Sequence, residues 1–195
     1  MAEFEARRRR LMRALGRGSA AVFVAADEAV RNGDVEHPFR QDSTFLYVTG
    51  FEEPQAVAVL RPGHEEPFVL FVRPHDPEQA VWVGPRAGVE GAVADYGASA
   101  AYPIEELEDR LPGLLSSATT LYFPLGAHPT VEPLITRHVA RRRAAAQRGM
   151  APLEALRDPT PLVDELRLVK SAAEVRSLQR AIDITGAGLD AAMRA

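Results

Sequence analysis

The chain has 195 residues, enough for one substantial domain or a domain plus a fragment, and 46% of them are apolar, too many for global disorder. Lys and Arg number 23 against 27 Asp and Glu, and the resulting net charge of −4 gives no general pull toward nucleic acid or anionic membranes. Cysteine is absent, which excludes a disulfide scaffold, a thiolate metal site and a cysteine nucleophile.

The N-terminus is charged and lacks the apolar stretch of a signal peptide. No apolar run reaches membrane-spanning length, so the expected location is the cytoplasm. Phe4, Leu11 and Leu15 fall on one helical face. They predict a first helix over 3–15 that stops at Gly16 and Gly18, with Arg7-Arg8-Arg9-Arg10 as its solvated side. Ala20 to Ala25 is a short apolar run that reads as a buried strand. A polar loop over 27–43 follows, with turn signals at Asn32-Gly33 and His37-Pro38. Thr44 to Thr49 is aromatic and β-branched throughout and reads as a second strand. Gln55 to Leu60 and Phe68 to Val72, joined by the turn Arg61-Pro62-Gly63-His64, read as a hairpin.

Ala80 to Val83 is a brief strand ended by Gly84-Pro85. A short helix is expected over 89–94, an amphipathic one over 104–111, a strand over 119–123 and a helix, basic on one side, over 131–146. The stretch 148–161 is the nearest thing to a linker. Ser171-Ala172-Ala173-Glu174 reads as a capping box opening a last helix. Val175, Leu178, Ile182, Leu189 and Met193 lie on one stripe of that helix. The stripe has no partner within the chain, so the helix is expected to belong to a segment outside it. Hairpin connections early and helical crossovers later predict an α/β domain with a mixed β-sheet flanked by helices. The domain is expected over 1–161, with 162–195 as a linker and the first helix of a second domain.

The chemistry-bearing residues form no self-contained active site. His37, His64, His75, His128 and His138 make no helical metal-binding couple. The densest cluster, His75-Asp76-Pro77-Glu78, suits a turn as well as a ligand set. The pairs Asp27-Glu28 and Glu52-Glu53 read as solvated. No nucleophile elbow, Walker loop or dinucleotide fingerprint is present. The segment 31–43 mixes cations, anions and an aromatic, and is either a functional loop or a charged surface loop. Trp82, the only tryptophan, is either a packing residue or an interface anchor.

The run Phe39-Arg40-Gln41-Asp42-Ser43-Thr44-Phe45-Leu46-Tyr47-Val48-Thr49-Gly50-Phe51, followed by Glu53-Pro54, resembles the signature of the aminopeptidase P N-terminal domain. Phe4 with Arg7 to Arg10, Gly18 to Ala21, Ala80 to Gly84, and Asp164 to Ser171 with Glu174 are similar to the same family in the same order. The resemblance implies a mixed α/β domain of the creatinase and aminopeptidase P type. It implies a parent Xaa-Pro aminopeptidase that removes an N-terminal residue preceding proline. Hydrolysis there needs two metal ions, usually manganese, held by carboxylates and a histidine of a "pita-bread" domain whose ligand segment would follow Ala195. This chain is then expected to hold no metal and to be inactive alone, serving oligomerisation and substrate access. The resemblance points to Asp34, Trp82 and Arg148 as substrate-access residues. Its implied partners are peptides with proline second and further copies of the chain, with neither nucleic acid nor membrane. A stand-alone peptide-binding or assembly module is the alternative.

Overall fold

The computed structural model describes residues 2–75, 84, 86–149 and 151–194. The chain divides into two compact units, Met1–Val163 and Asp164–Ala195. The first is built on a six-stranded sheet in the order β6-β5-β4-β1-β7-β8. Its strands are β1 (Ser19–Val24), β4 (Val57–Leu60), β5 (Phe68–Val72), β6 (Ala100–Pro103), β7 (Thr120–Tyr122) and β8 (Ala155–Arg157). β4 and β5 form an antiparallel hairpin, and β1 lies antiparallel to β4 although a long connection separates them. β5 and β6, β1 and β7, and β7 and β8 are parallel, each reached by a helical crossover. The expected mixed sheet is therefore present.

Alternation along the strands sorts the core into two layers. Val22, Val59, Val69, Phe71 and Leu121 pack with Leu111 and Leu115 of α4 (Leu107–Leu115) and with Ile135 of α5 (Glu132–Ala146). On the opposite face, α1 (Ala2–Leu15) and α2 (Ser43–Thr49) lie against β1. α3 (Gly88–Ala94) packs beside β5 and β6.

Four expectations are corrected. Residues 44–49 are not a strand but the helix α2. Phe45, Val48 and Thr49 are buried at helical spacing, the Thr49 hydroxyl donating to Phe45 O at 2.8 Å. Asp42 caps the N-terminus, its Oδ1 accepting from Thr44 N at 2.9 Å and Phe45 N at 2.7 Å. Gly50 closes the other end at φ 73°, and a Cβ there would stand 2.7 Å from the Phe4 ring, so both backbone and space demand glycine. The ends override β-propensity.

The arginine run is not uniformly solvated either. Arg8 is 4% exposed and donates to the carbonyls of Thr49 and Tyr96, each at 3.2 Å, and of Val48 at 3.4 Å. Its guanidinium also sits 4.1 Å from the Phe68 ring centroid. Arg7 stacks on Tyr47 at 4.2 Å and pairs with Glu3 at 2.6 Å. The loop over 27–43 contains a small hairpin, β2 (Val30–Asn32) with β3 (Val35–Glu36). The linker over 148–161 contains the edge strand β8. The strand expected over 80–83 lies outside the described residues.

In the second unit the capping box forms as read. Ser171 N donates to Glu174 Oε2 at 2.7 Å, and Glu174 N to Ser171 Oγ at 3.1 Å. It opens α7 (Ala172–Arg194), preceded by α6 (Thr160–Leu168), and Val175, Leu178, Ile182, Leu189 and Met193 are all exposed.

Candidate functional site

β1, β5 and β7 all point their carboxyl ends the same way, which gathers the loops that follow them at one end of the sheet. The loop after β1 is held by one buried side chain. Gln41 Oε1 accepts from Ala26 N and from Asp42 N, each at 2.8 Å. Its Nε2 donates to Glu53 O at 2.7 Å and Phe51 O at 3.2 Å. One amide thus fastens the exit of β1, the start of α2 and the segment after α2, using all four of its hydrogen-bonding positions.

A cleft of about 520 Å³ opens beside this clamp, lined by Asp27, Arg40, Asp42, Ser43, His128 and Thr130 among others. Burial holds the His128 imidazole below its ordinary range, although Asp42 and Asp27 pull it upward. The ring is therefore neutral at pH 7 and does not add a cation to the cleft. Only half of each acidic pair is solvated. Glu28 pairs with Arg73 through both oxygens, at 3.2 and 3.3 Å. Glu53 Oε1 accepts from Ala87 N at 2.6 Å. Asp27 and Glu52 are exposed. Gln55, whose side chain meets Arg73 at 3.4 Å, is the only described non-glycine residue at positive φ, 53°.

Beyond the cleft projects the β2–β3 hairpin, exposed along both strands, with Val30 68% and Val35 54% accessible. Asn32 pairs with Val35 across the two-residue turn Gly33-Asp34. Gly33 has φ 57° while Asp34 is not at positive φ, the pattern of a type II′ turn. Asp34 is thus presented to solvent at the tip. Leu125, 53% exposed in the loop after β7, lies at the same end of the sheet.

The sequence-predicted site residues are not gathered in one place. Asp34 follows the carboxyl end of β1. Arg148 is exposed just after α5, on the approach to the amino end of β8, where Glu154 N donates to Thr119 O at 2.7 Å. The two lie toward opposite ends of the sheet, and no hydrogen bond or ion pair joins them. Trp82 lies outside the described residues, as do Asp76, Pro77 and Glu78 of the acidic cluster. His75 is described, with Nδ1 3.1 Å from Arg86 O. Among the described residues no three His, Asp or Glu side chains stand where they could share a metal ion.

A second buried group distinguishes α5. His138 is 5% exposed. Burial, first, and the adjacent Arg142 push its pKa down, against a hydrogen bond to the Leu115 backbone that raises it. A base whose pKa is lowered by folding binds fewer protons folded than unfolded. Its stability contribution is complete above the unfolded value and is lost as the pH falls below it. His138→Gln is therefore expected to flatten the decline of the urea midpoint as the pH falls below about 6.5. An unchanged slope would refute the assignment.

Residues 4–122 match the family described as aminopeptidase P, N-terminal domain. The chain is 36% identical over 193 residues to the Xaa-Pro aminopeptidase of Haemophilus influenzae, covering 98% of this chain and 42% of that protein. Aminopeptidase PepP of Pseudomonas aeruginosa superposes with a TM-score of 0.83 at 41% identity, over 90% of this chain and 40% of that one. Proline aminopeptidase P II from Yersinia pestis gives 0.85 at 34% identity, over 94% and 42%. The chain spans about two fifths of the length of these relatives.

Proposed function

The chain belongs to the aminopeptidase P N-terminal domain family, and from that premise we propose that it serves substrate access and subunit assembly in a Xaa-Pro aminopeptidase rather than hydrolysis itself. The domain then occupies 1–161, with 162–195 leading into the catalytic part. The parent reaction releases an N-terminal residue that precedes proline, in the cytoplasm, with two manganese ions activating water. The described residues do not fit such a metal pair, so no step of the reaction is routed through them.

The observation that carries the reading is the exposed hairpin. A two-stranded ribbon with both faces in water is marginal by itself. Here the loop that carries it is closed by the Gln41 clamp, and the ribbon exposes Val30 and Val35 along its strands and Asp34 at its turn. That combination suits contact with another protein surface or with a peptide whose α-amino group carries positive charge. Asp34 is assigned the polar contact and Trp82 the apolar one. Arg148, toward the other end of the sheet, serves a separate contact. No helix of the described residues is long and apolar enough to cross a membrane.

Hydrolysis of a Xaa-Pro peptide by the purified chain, with manganese added, is the test. We expect no turnover and no stoichiometric metal. Turnover with bound metal would overturn the assignment and direct attention to the segment around His75.

A further inference from the structure

We propose that Asn32 is a site of spontaneous deamidation, at which the turn of the β2–β3 hairpin changes from asparagine to aspartate or isoaspartate. Asn32 is the only asparagine in the chain, and glycine follows it. Both hairpin strands are exposed, so water and hydroxide reach the turn freely. The Gly33 N–H makes no backbone hydrogen bond among the described residues, which leaves that nitrogen available. Glycine has no side chain to shield it, and even a Cβ built at Gly33 would meet nothing within 4 Å. Asparagine is among the thermolabile residues, and among the described residues no hydrogen bond engages the Asn32 side chain.

The step balances with water alone. Solvent base removes the Gly33 amide proton, and the nitrogen attacks Asn32 Cγ. The new N–C bond closes a five-membered imide, the Cγ–Nδ2 bond breaks, and ammonia leaves after taking a proton from water. A second water then opens the imide at either carbonyl. Opening at one gives aspartate; opening at the other gives isoaspartate, with the main chain running through Cγ. Both products add a negative charge two residues from Asp34. Isoaspartate also lengthens the backbone inside the turn and breaks the Asn32–Val35 register. That this changes the contact made by the hairpin rests on the function proposed above; the modification itself does not.

The test is to age the folded chain at neutral and mildly alkaline pH and map it with trypsin. Cleavage after Arg31 and Arg40 isolates residues 32–40 as one peptide. We expect that peptide to gain the mass of OH in place of NH₂ and to split into two chromatographic forms. Its rate should rise about tenfold per pH unit, as the deprotonated fraction of a weak acid does well below its pKa. Asn32→Gln should remove the change. A peptide that stays unmodified in the folded chain while deamidating in urea would overturn the proposal, as would an equal mass gain in Asn32→Gln. The mass readout needs neither peptidase activity nor a partner, so its failure is separable from failure of the proposed function.

Discussion

Replacing Gln41 with alanine is expected to lower the unfolding free energy by about 3 kcal/mol, because two buried N–H groups and two carbonyls lose their partner together. For a domain of this size that corresponds to a fall in Tm of about 6–12 °C. The variant Gln41→Glu separates polarity from shape. It keeps an oxygen for Ala26 N and Asp42 N, but turns its second oxygen toward the carbonyls of Phe51 and Glu53. Acceptor facing acceptor repels, so Gln41→Glu should be no more stable than Gln41→Ala at neutral pH. A near-wild-type Tm for either variant would show that the loop after β1 is held by something other than this amide.

Replacing Arg8 with methionine should also remove about 3 kcal/mol, measured as a lower urea midpoint with an unchanged slope. Arg8 satisfies the carbonyls of Val48 and Thr49 at the last turn of α2, where the helix dipole favours a cation, and reaches Tyr96 O with its other nitrogen. The opposing contribution is the burial of a charge. It lowers the Arg8 pKa to about 10, Glu5 acting weakly the other way, and leaves the group protonated at pH 7. Arg8→Lys should recover little, since one ammonium on a flexible stem does not span carbonyls on two elements. Full stability in Arg8→Lys would mean that charge alone, not the fork geometry, carries the effect.

The central strands β1, β4 and β5 are legible as nearly continuous apolar runs, the pattern a strand buried on both faces needs, whereas the edge strands β6 and β8 are short and half-exposed and carry no such run. Composition alone reads α2 as a strand, yet its helix signals stand in the sequence: Asp42 before it and Gly50 after it. Arg8 was also legible in principle. Positions 4, 8, 11 and 15 form one helical stripe, so an arginine at 8 had to point inward with Phe4, Leu11 and Leu15. The Gln41 clamp was not legible. Its partners, Ala26, Phe51 and Glu53, come together only once β1 and α2 are docked. The hairpin tip was visible as Asn32-Gly33, but its exposure on both faces depends on what the rest of the fold leaves uncovered.

The central position of β1 has a consequence for synthesis on the ribosome. Its antiparallel neighbour β4 emerges soon after it, but its parallel neighbour β7 pairs Ser19 with Thr120, about a hundred residues later. At ordinary translation rates that interval is about 5–20 s. Throughout it, one edge of a buried and largely apolar strand waits without a partner, a window in which a nascent chain is open to intermolecular pairing. Slower elongation across 25–120 should therefore lower soluble yield, and a chaperone that shields extended apolar segments should restore it.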